Sequence, residues 1–136
     1  MRFPTKIVVA IRGDLETWRK LNITAFLAGA VAGGVPEVLG KPYEDGSANR
    51  YLAMFRQPVV VYVADGVDLR RVRQRAVARD LPTAVFTEEI LGTDNDDDNR
   101  AAVRAVGADA LNLVGVALYG PRNAVDKVCK GLALHS

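Results

Sequence analysis

Of 136 residues, only one is cysteine, one histidine and one tryptophan, and aromatics make up 7%. The lone Cys129 excludes an internal disulfide framework and any cysteine-based metal cluster. It sits in an apolar helical pattern beside Lys127 and Lys130, where a small buried hydrophobe is the ordinary role. The single His135 stands next to the C-terminus, where fraying is expected, and makes a poor catalyst. Long apolar runs are missing too. Ile7–Ile11 and Ala25–Val35 fall far short of the ~20 residues a membrane-spanning helix needs. The opening Met1-Arg2-Phe3-Pro4-Thr5-Lys6 lacks the charged, apolar and small-residue regions of a signal peptide. A cytoplasmic protein without a membrane segment is therefore expected. There is no Walker loop, and Gly33-Gly34 follows a helical pattern, whereas a dinucleotide fingerprint must follow a strand. No internal repeat and no linker interrupts the chain, so residues 1–136 are expected to form one domain.

What is present is an ordinary globular composition, 49% apolar and 25% charged, with a formal net charge of +2. Lys6–Arg12 and Pro58–Ala64 are β-branched runs of the kind that form strands buried on both faces. Ile23, Phe26, Leu27, Ala30 and Val31 recur at helical spacing within Trp18–Gly33, with Thr17 or Asn22 as the possible cap. The turn-rich Asp45-Gly46-Ser47-Ala48-Asn49 lies between apolar pairs and predicts a hairpin or edge excursion over Pro36–Met54. Asp65 and Asp68 predict a capped helix reaching Asp80. A third strand is expected at Thr83–Thr87, then an acidic loop at Gly92–Asn99, then a short helix at Arg100–Val106. Leu111–Tyr119 predicts the last strand, and Gly120-Pro121 the start of a closing helix that Gly131 ends. The alternation predicts an α/β fold: a three-layer α/β/α sandwich around a mixed, mostly parallel sheet of about four principal strands.

Three stretches, Lys6–Leu15, Gln57–Val72 and Gly115–Leu134, together resemble the peptidyl-tRNA hydrolase II fold. Lys20–Gly29, Pro36–Gly40, Tyr43–Asp45 and Asn49–Tyr51 further resemble a bacterial family named only as a domain of unknown function, number two thousand, similar in fold to that hydrolase. The resemblance also implies what has been replaced. Asn22 stands where the hydrolase has a lysine, Phe26 where it has a glutamine, and Gly29 where it has a histidine. With a shift of about one residue, Lys20 reaches the same space. Glu88, Glu89 and Thr93 retain a carboxylate and a hydroxyl in the loop where the hydrolase has an aspartate and a threonine, and Asp94–Gly107 is an added segment.

In an open α/β sheet, ligands gather at the carboxyl ends of strands. That rim is expected to carry Arg12, Gly13 and Asp14, then Asp65, then Glu88, Glu89 and Thr93, then Tyr119 and Gly120, with Asn22 and Thr24 looking in from the first helix. Hydrolysis of an ester needs an activated water or hydroxyl and a donor to the developing oxyanion. Glu88 or Glu89 is the candidate base, Thr93 or Thr24 positions the nucleophile, and Lys20 or Asn22 donates. Arg12, Asp14, Thr24 and Tyr119 are the binding candidates. Each has a structural reading beside it, as a cap or a solvated side chain. The run Asp94, Asp96, Asp97, Asp98 fails as a calcium loop, because Asn99 and Ala105 occupy the glycine and glutamate positions. Arg70, Arg71, Arg73, Arg75 and Arg79 spread around one helix without interleaved aromatics, which reads as a solvated face or an oligomer contact before a nucleic-acid surface.

No metal and no cofactor are expected. A binding module that kept the scaffold and lost its catalysis is the first expectation. The alternative is a hydrolase that acts on a tRNA-linked or small ester substrate through the substituted rim residues. A homo-oligomer, a dimer by the resemblance, is expected in either case, with a small-molecule or tRNA-linked ligand. Convergence of Asn22 or Lys20, a glutamate and Thr93 separates the enzyme from the module.

Overall fold

The computed structural model describes residues 2–136. Its β-branched runs become the centre of one five-stranded sheet. The strands are β1 (Thr5–Arg12), β4 (Val59–Ala64), β5 (Thr83–Thr87), β6 (Leu113–Pro121) and β7 (Ala133–Leu134), ordered β5-β6-β1-β4-β7. A separate two-stranded hairpin pairs β2 (Tyr43–Glu44) with β3 (Arg50–Tyr51). The helices are α1 (Thr17–Gly34), α2 (Gly66–Ala78), α3 (Asp96–Arg104) and α4 (Arg122–Val128).

Alternation along the strands splits the core in two. Val8, Ala10, Val116 and Leu118 meet Leu69, Val72 and Ala76 of α2 and Val125, Val128 and Cys129 beside α4. Ile7, Val9, Ile11 and Ala117 meet Ile23, Leu27 and Val31 of α1 on the other face. Helices thus cover both faces of the sheet. Between β5 and β6 the alternation slips: Phe86 pairs with Gly115 and Thr87 with Leu113, so Val114 is the extra residue of a bulge. A Cβ at Gly115 would stand 2.7 Å from Leu27 Cδ1, so a larger residue there would push the α1 side chains away from the sheet.

The expected mostly parallel sheet is corrected. Only β1–β4 is parallel; β1–β6, β5–β6 and β4–β7 are antiparallel. The cause lies in the β5–β6 connection. Its two 3₁₀ turns, Glu88–Gly92 and Ala108–Ala110, and the short α3 between them leave the chain at the end of the sheet where β5 stopped. A parallel partner would need a crossover back across the sheet.

Local signals also shift. At α1 the N-cap position is Glu16, with no side-chain cap bond; Thr17 is the first helical residue and Asn22 lies inside the helix. The acidic stretch is half helix: Asn95 caps α3 by accepting from the Asp98 N–H, and Asp96–Asp98 fill the first turn, where the helix dipole favours negative charge. Asp65 accepts from the Asp68 N–H as the capping pattern requires, whereas the Asp68 carboxylate turns to Arg71 at 2.7 Å. Gly131 has φ +93°, in the left-handed region that suits glycine. His135 is not frayed: after β7 pairs with β4, its N–H donates to Val61 O at 3.0 Å.

Candidate functional site

The carboxyl ends of the parallel pair β1 and β4 form the first part of the rim. Gly13 packs so close to Val63 that a Cβ would stand 2.7 Å from its Cγ2, and its N–H donates to Ala64 O. The turn holds Arg12 between two carboxylates, Asp14 at 2.6 Å and Glu88 at 2.7 Å. Partial burial works against the guanidinium's charge, but the hydrogen bonds it donates to Glu88 and Asp14 outweigh that and keep its pKa above the ordinary value. Arg12, Asp14 and Asp65 line a shallow hollow of ≈450 Å³.

Glu89 is spent elsewhere. Its carboxylate accepts from the Asn112 backbone N–H at 3.2 Å and side-chain amide at 3.1 Å, which ties the start of the β5–β6 connection to its end. Thr93 donates its hydroxyl to Ile90 O at 2.8 Å and also meets the Asn99 side chain. Tyr119 is a correction. Because β6 runs antiparallel to β1, Tyr119 pairs with Ile7 and Gly120 with Lys6, near the start of β1 and away from Arg12.

Helix α1 divides what remains. On one flank Asn22 and Phe26 face the connection after β5 across a cleft that also takes in Trp18, Thr93 and Asn99. Phe26 packs edge-on against Phe86, with centroids 5.7 Å apart, and the Arg19 guanidinium lies 4.7 Å over Trp18. The cleft measures ≈500 Å³ and continues past Phe26 and Phe86 into a more apolar part of ≈550 Å³ reaching Val103 and Arg104 of α3. The added segment after Thr93 therefore builds one wall. On the opposite flank are Thr17, Lys20 and Thr24, with Thr24 donating to Lys20 O at 2.7 Å. Lys20 Nζ lies 3.2 Å from His135 Nε2. Nothing local in the sequence marks a two-residue strand at the chain's end, so the pairing that holds His135 is not legible from its neighbours.

Asn22 and Thr93 thus share one cleft, Lys20 and Thr24 share another, Glu88 is bound to Arg12, and Glu89 is bound to Asn112. Cys129 is buried, and burial pushes its thiol up to about 11 despite the nearby Lys6. On α2, Arg71 pairs with Asp68 and Arg73 approaches Asp109 at 3.9 Å; Arg70, Arg75 and Arg79 make no ion pair among the described residues.

A family model described as a protein of unknown function (DUF2000) matches residues 5–136, and the chain belongs to that family. A solved structure of a protein of unknown function from Agrobacterium tumefaciens is 41% identical in sequence. It superposes with a TM-score of 0.95 over 99% of this chain and 100% of that one. No curated protein matches the chain. The helices are also too short or too polar to cross a membrane among the described residues.

Proposed function

We propose that this member of the family is a cytoplasmic binding module: a peptidyl-tRNA hydrolase II-like scaffold that has given up catalysis, works as a homo-oligomer, and takes a small ligand in the cleft between α1 and the Glu88–Arg104 segment. The observation that carries this reading is the separation of the candidate catalytic groups. A hydrolytic site needs base, nucleophile and oxyanion donor around one reacting atom. Here Lys20 and Asn22 lie on opposite flanks of α1, and both glutamates have structural partners.

The cleft has the character of a binding site instead. It is of ligand size, with aromatic and aliphatic walls and the polar groups of Asn22, Thr93 and Asn99 at its edge. The resemblance places Phe26 at the hydrolase's glutamine, so an apolar ring occupies ground that a polar donor would hold in an enzyme. Fold alone selects neither reading, since function resides in the site.

The test is release of peptide from a peptidyl-tRNA by the wild-type protein beside an Asn22→Lys variant. No release above the blank is expected from wild type. Turnover would overturn the module reading and put Glu88, Glu89 and Thr93 next in line for mutation. The chain's only tryptophan, Trp18, stands on the cleft, so its fluorescence reports candidate ligands directly.

A further inference from the structure

Strand β5 is an outer strand of the sheet and pairs with β6 alone. The Tyr119 N–H donates to Pro82 O at 3.2 Å, which sets the phase of that ladder. Ala84, opposite Ala117, and Phe86, opposite Gly115, therefore turn their backbone groups toward β6. Val85 between them turns its N–H and C=O the other way, off the sheet. The β1–β6 ladder has the matching phase. Arg122 N–H donates to Pro4 O, so Val116, which lies opposite Val85, directs its own groups at β1. Among the described residues, neither backbone group of Val85 has a hydrogen-bond partner.

This unpaired edge lies inside the cleft. Ala84, Val85 and Phe86 line its apolar part, between Ala30 of α1 and Val103 of α3. Ala84 and Phe86 pack on the α1 side of the sheet, whereas Val85 and Val103 pack on the α2 side. The charged residues of this part are Asp96, Arg100 and Arg104. Asp96 pairs with Arg100, and Arg104 makes no ion pair among the described residues. With a helix on each side, the edge is open to a single chain, because a second sheet would bring its own helices against these. An unpaired N–H and C=O side by side are the complement of one residue of extended peptide.

We propose that the small ligand of this cleft is a short extended peptide that adds to β5 as a further strand, with an acidic residue between two aliphatic ones. The inference rests on the cleft being a binding site and names what it binds. The residue opposite Val85 exchanges both backbone hydrogen bonds with it and sets its side chain on the Val85 face, toward the α3 wall. A carboxylate there meets the unpaired Arg104. The residues before and after it point to the other face, where Phe26, Ala30 and Phe86 receive aliphatic side chains.

The experiment is amide-resolved NMR of the wild-type chain, titrated with an acetylated leucine-glutamate-leucine amide and, separately, with benzyl alcohol. The peptide is expected to give saturable shifts at Ala30, Ala84, Val85 and Val103, and to slow hydrogen exchange at the Val85 N–H by about tenfold or more. Methylating the glutamate nitrogen should weaken binding by about tenfold. Methylating the nitrogen of the second leucine, which faces away from β5, should change it by less than about twofold. Glutamine in place of glutamate should weaken binding by about threefold. Unchanged exchange at Val85, equal effects of the two methyl groups, or a glutamine peptide that binds as well would each overturn the assignment. A longer peptide with the same centre that binds about tenfold tighter or more would replace the short peptide by a segment of another protein. Val85 exchange that slows with protein concentration alone would replace it by a second copy. Benzyl alcohol bound in the cleft with the peptide silent overturns the peptide and keeps the cleft as a small-ligand site; silence from both overturns both.

Discussion

Thr87 closes β5 with a hydroxyl that is fully buried and, among the described residues, has no hydrogen-bond partner. It sits at the bulge, where the extra Val114 displaces the pairing that its neighbours make. A buried unpaired hydroxyl is a net cost, and valine has nearly the same shape without it. Thr87→Val is therefore expected to raise stability by about 1 kcal/mol, a few degrees in Tm, in a thermal melt. A drop in Tm would mean that the hydroxyl is satisfied in solution, by a bound water for instance. This cost was not legible in the sequence, where Thr87 is merely a good strand former. The opposite holds for Asp65 and Cys129. Their roles as a cap and a buried thiol follow from immediate neighbours, and the structure places them so.

At the scale of elements, the β2–β3 hairpin is organised by one carboxylate. Asp45 accepts from the Ser47 and Asn49 N–H groups, the Asn49 side chain and the Tyr51 hydroxyl. The Tyr51 bond first, then these others, pull its pKa down to about 2, while the Tyr51 hydroxyl is raised in return. Because the folded pKa lies below the unfolded one, whatever the ionised Asp45 contributes is present above the ordinary carboxylate range and lost as pH falls through about 2. A carboxyl NMR titration should find Asp45 at about 2, and Tyr51→Phe should move it upward. A wild-type value in the ordinary range would refute the bond network. The turn residues Asp45–Asn49 announced this hairpin in the sequence because turn chemistry is local. Strand direction is not local. Nothing in β6 itself says that the α3 excursion returns the chain to the end it left, so neither its antiparallel pairing nor the end at which Tyr119 lies is legible in the sequence. The division of α1 was missed for a related reason. Lys20 and Asn22 stand two residues apart, roughly 200° around a helix, and cannot serve one site. Before the helix had a fixed register against the sheet, either was a candidate.

The whole molecule leaves a surface that its own chain does not cover. Helix α1 carries no charge from Leu21 to Gly34, yet only Ile23, Leu27 and Val31 are buried, and Leu21 and Trp18 stand outward. Its first half is bulky and its second half small: Gly29 and Gly33 have nothing within 4 Å of where a Cβ would be. Two copies of α1 packed antiparallel about a two-fold axis set Trp18 and Leu21 of each over Gly29 and Gly33 of the other. The β2–β3 hairpin adds to that uncovered surface. A lone two-stranded hairpin is marginal in water, and this one exposes Tyr43, Tyr51, Met54 and Leu52, the last at 89%. It follows the C-terminal end of α1, so in an antiparallel pair it reaches the N-terminal end of the partner's helix. The exposed parts of these six side chains come to the order of 700 Å², close to the ~800 Å² per partner of a standard interface. The proposed oligomer is thus a dimer closed by α1 and the hairpins, and sedimentation velocity at micromolar protein should find it. Leu21→Glu buries an unpaired charge at the contact and is expected to weaken association by roughly a hundredfold or more, with circular dichroism unchanged. A monomeric wild type, or a variant that stays dimeric, removes α1 from the interface. A monomeric variant that retains its helix content assigns the uncharged face of α1 to the second copy.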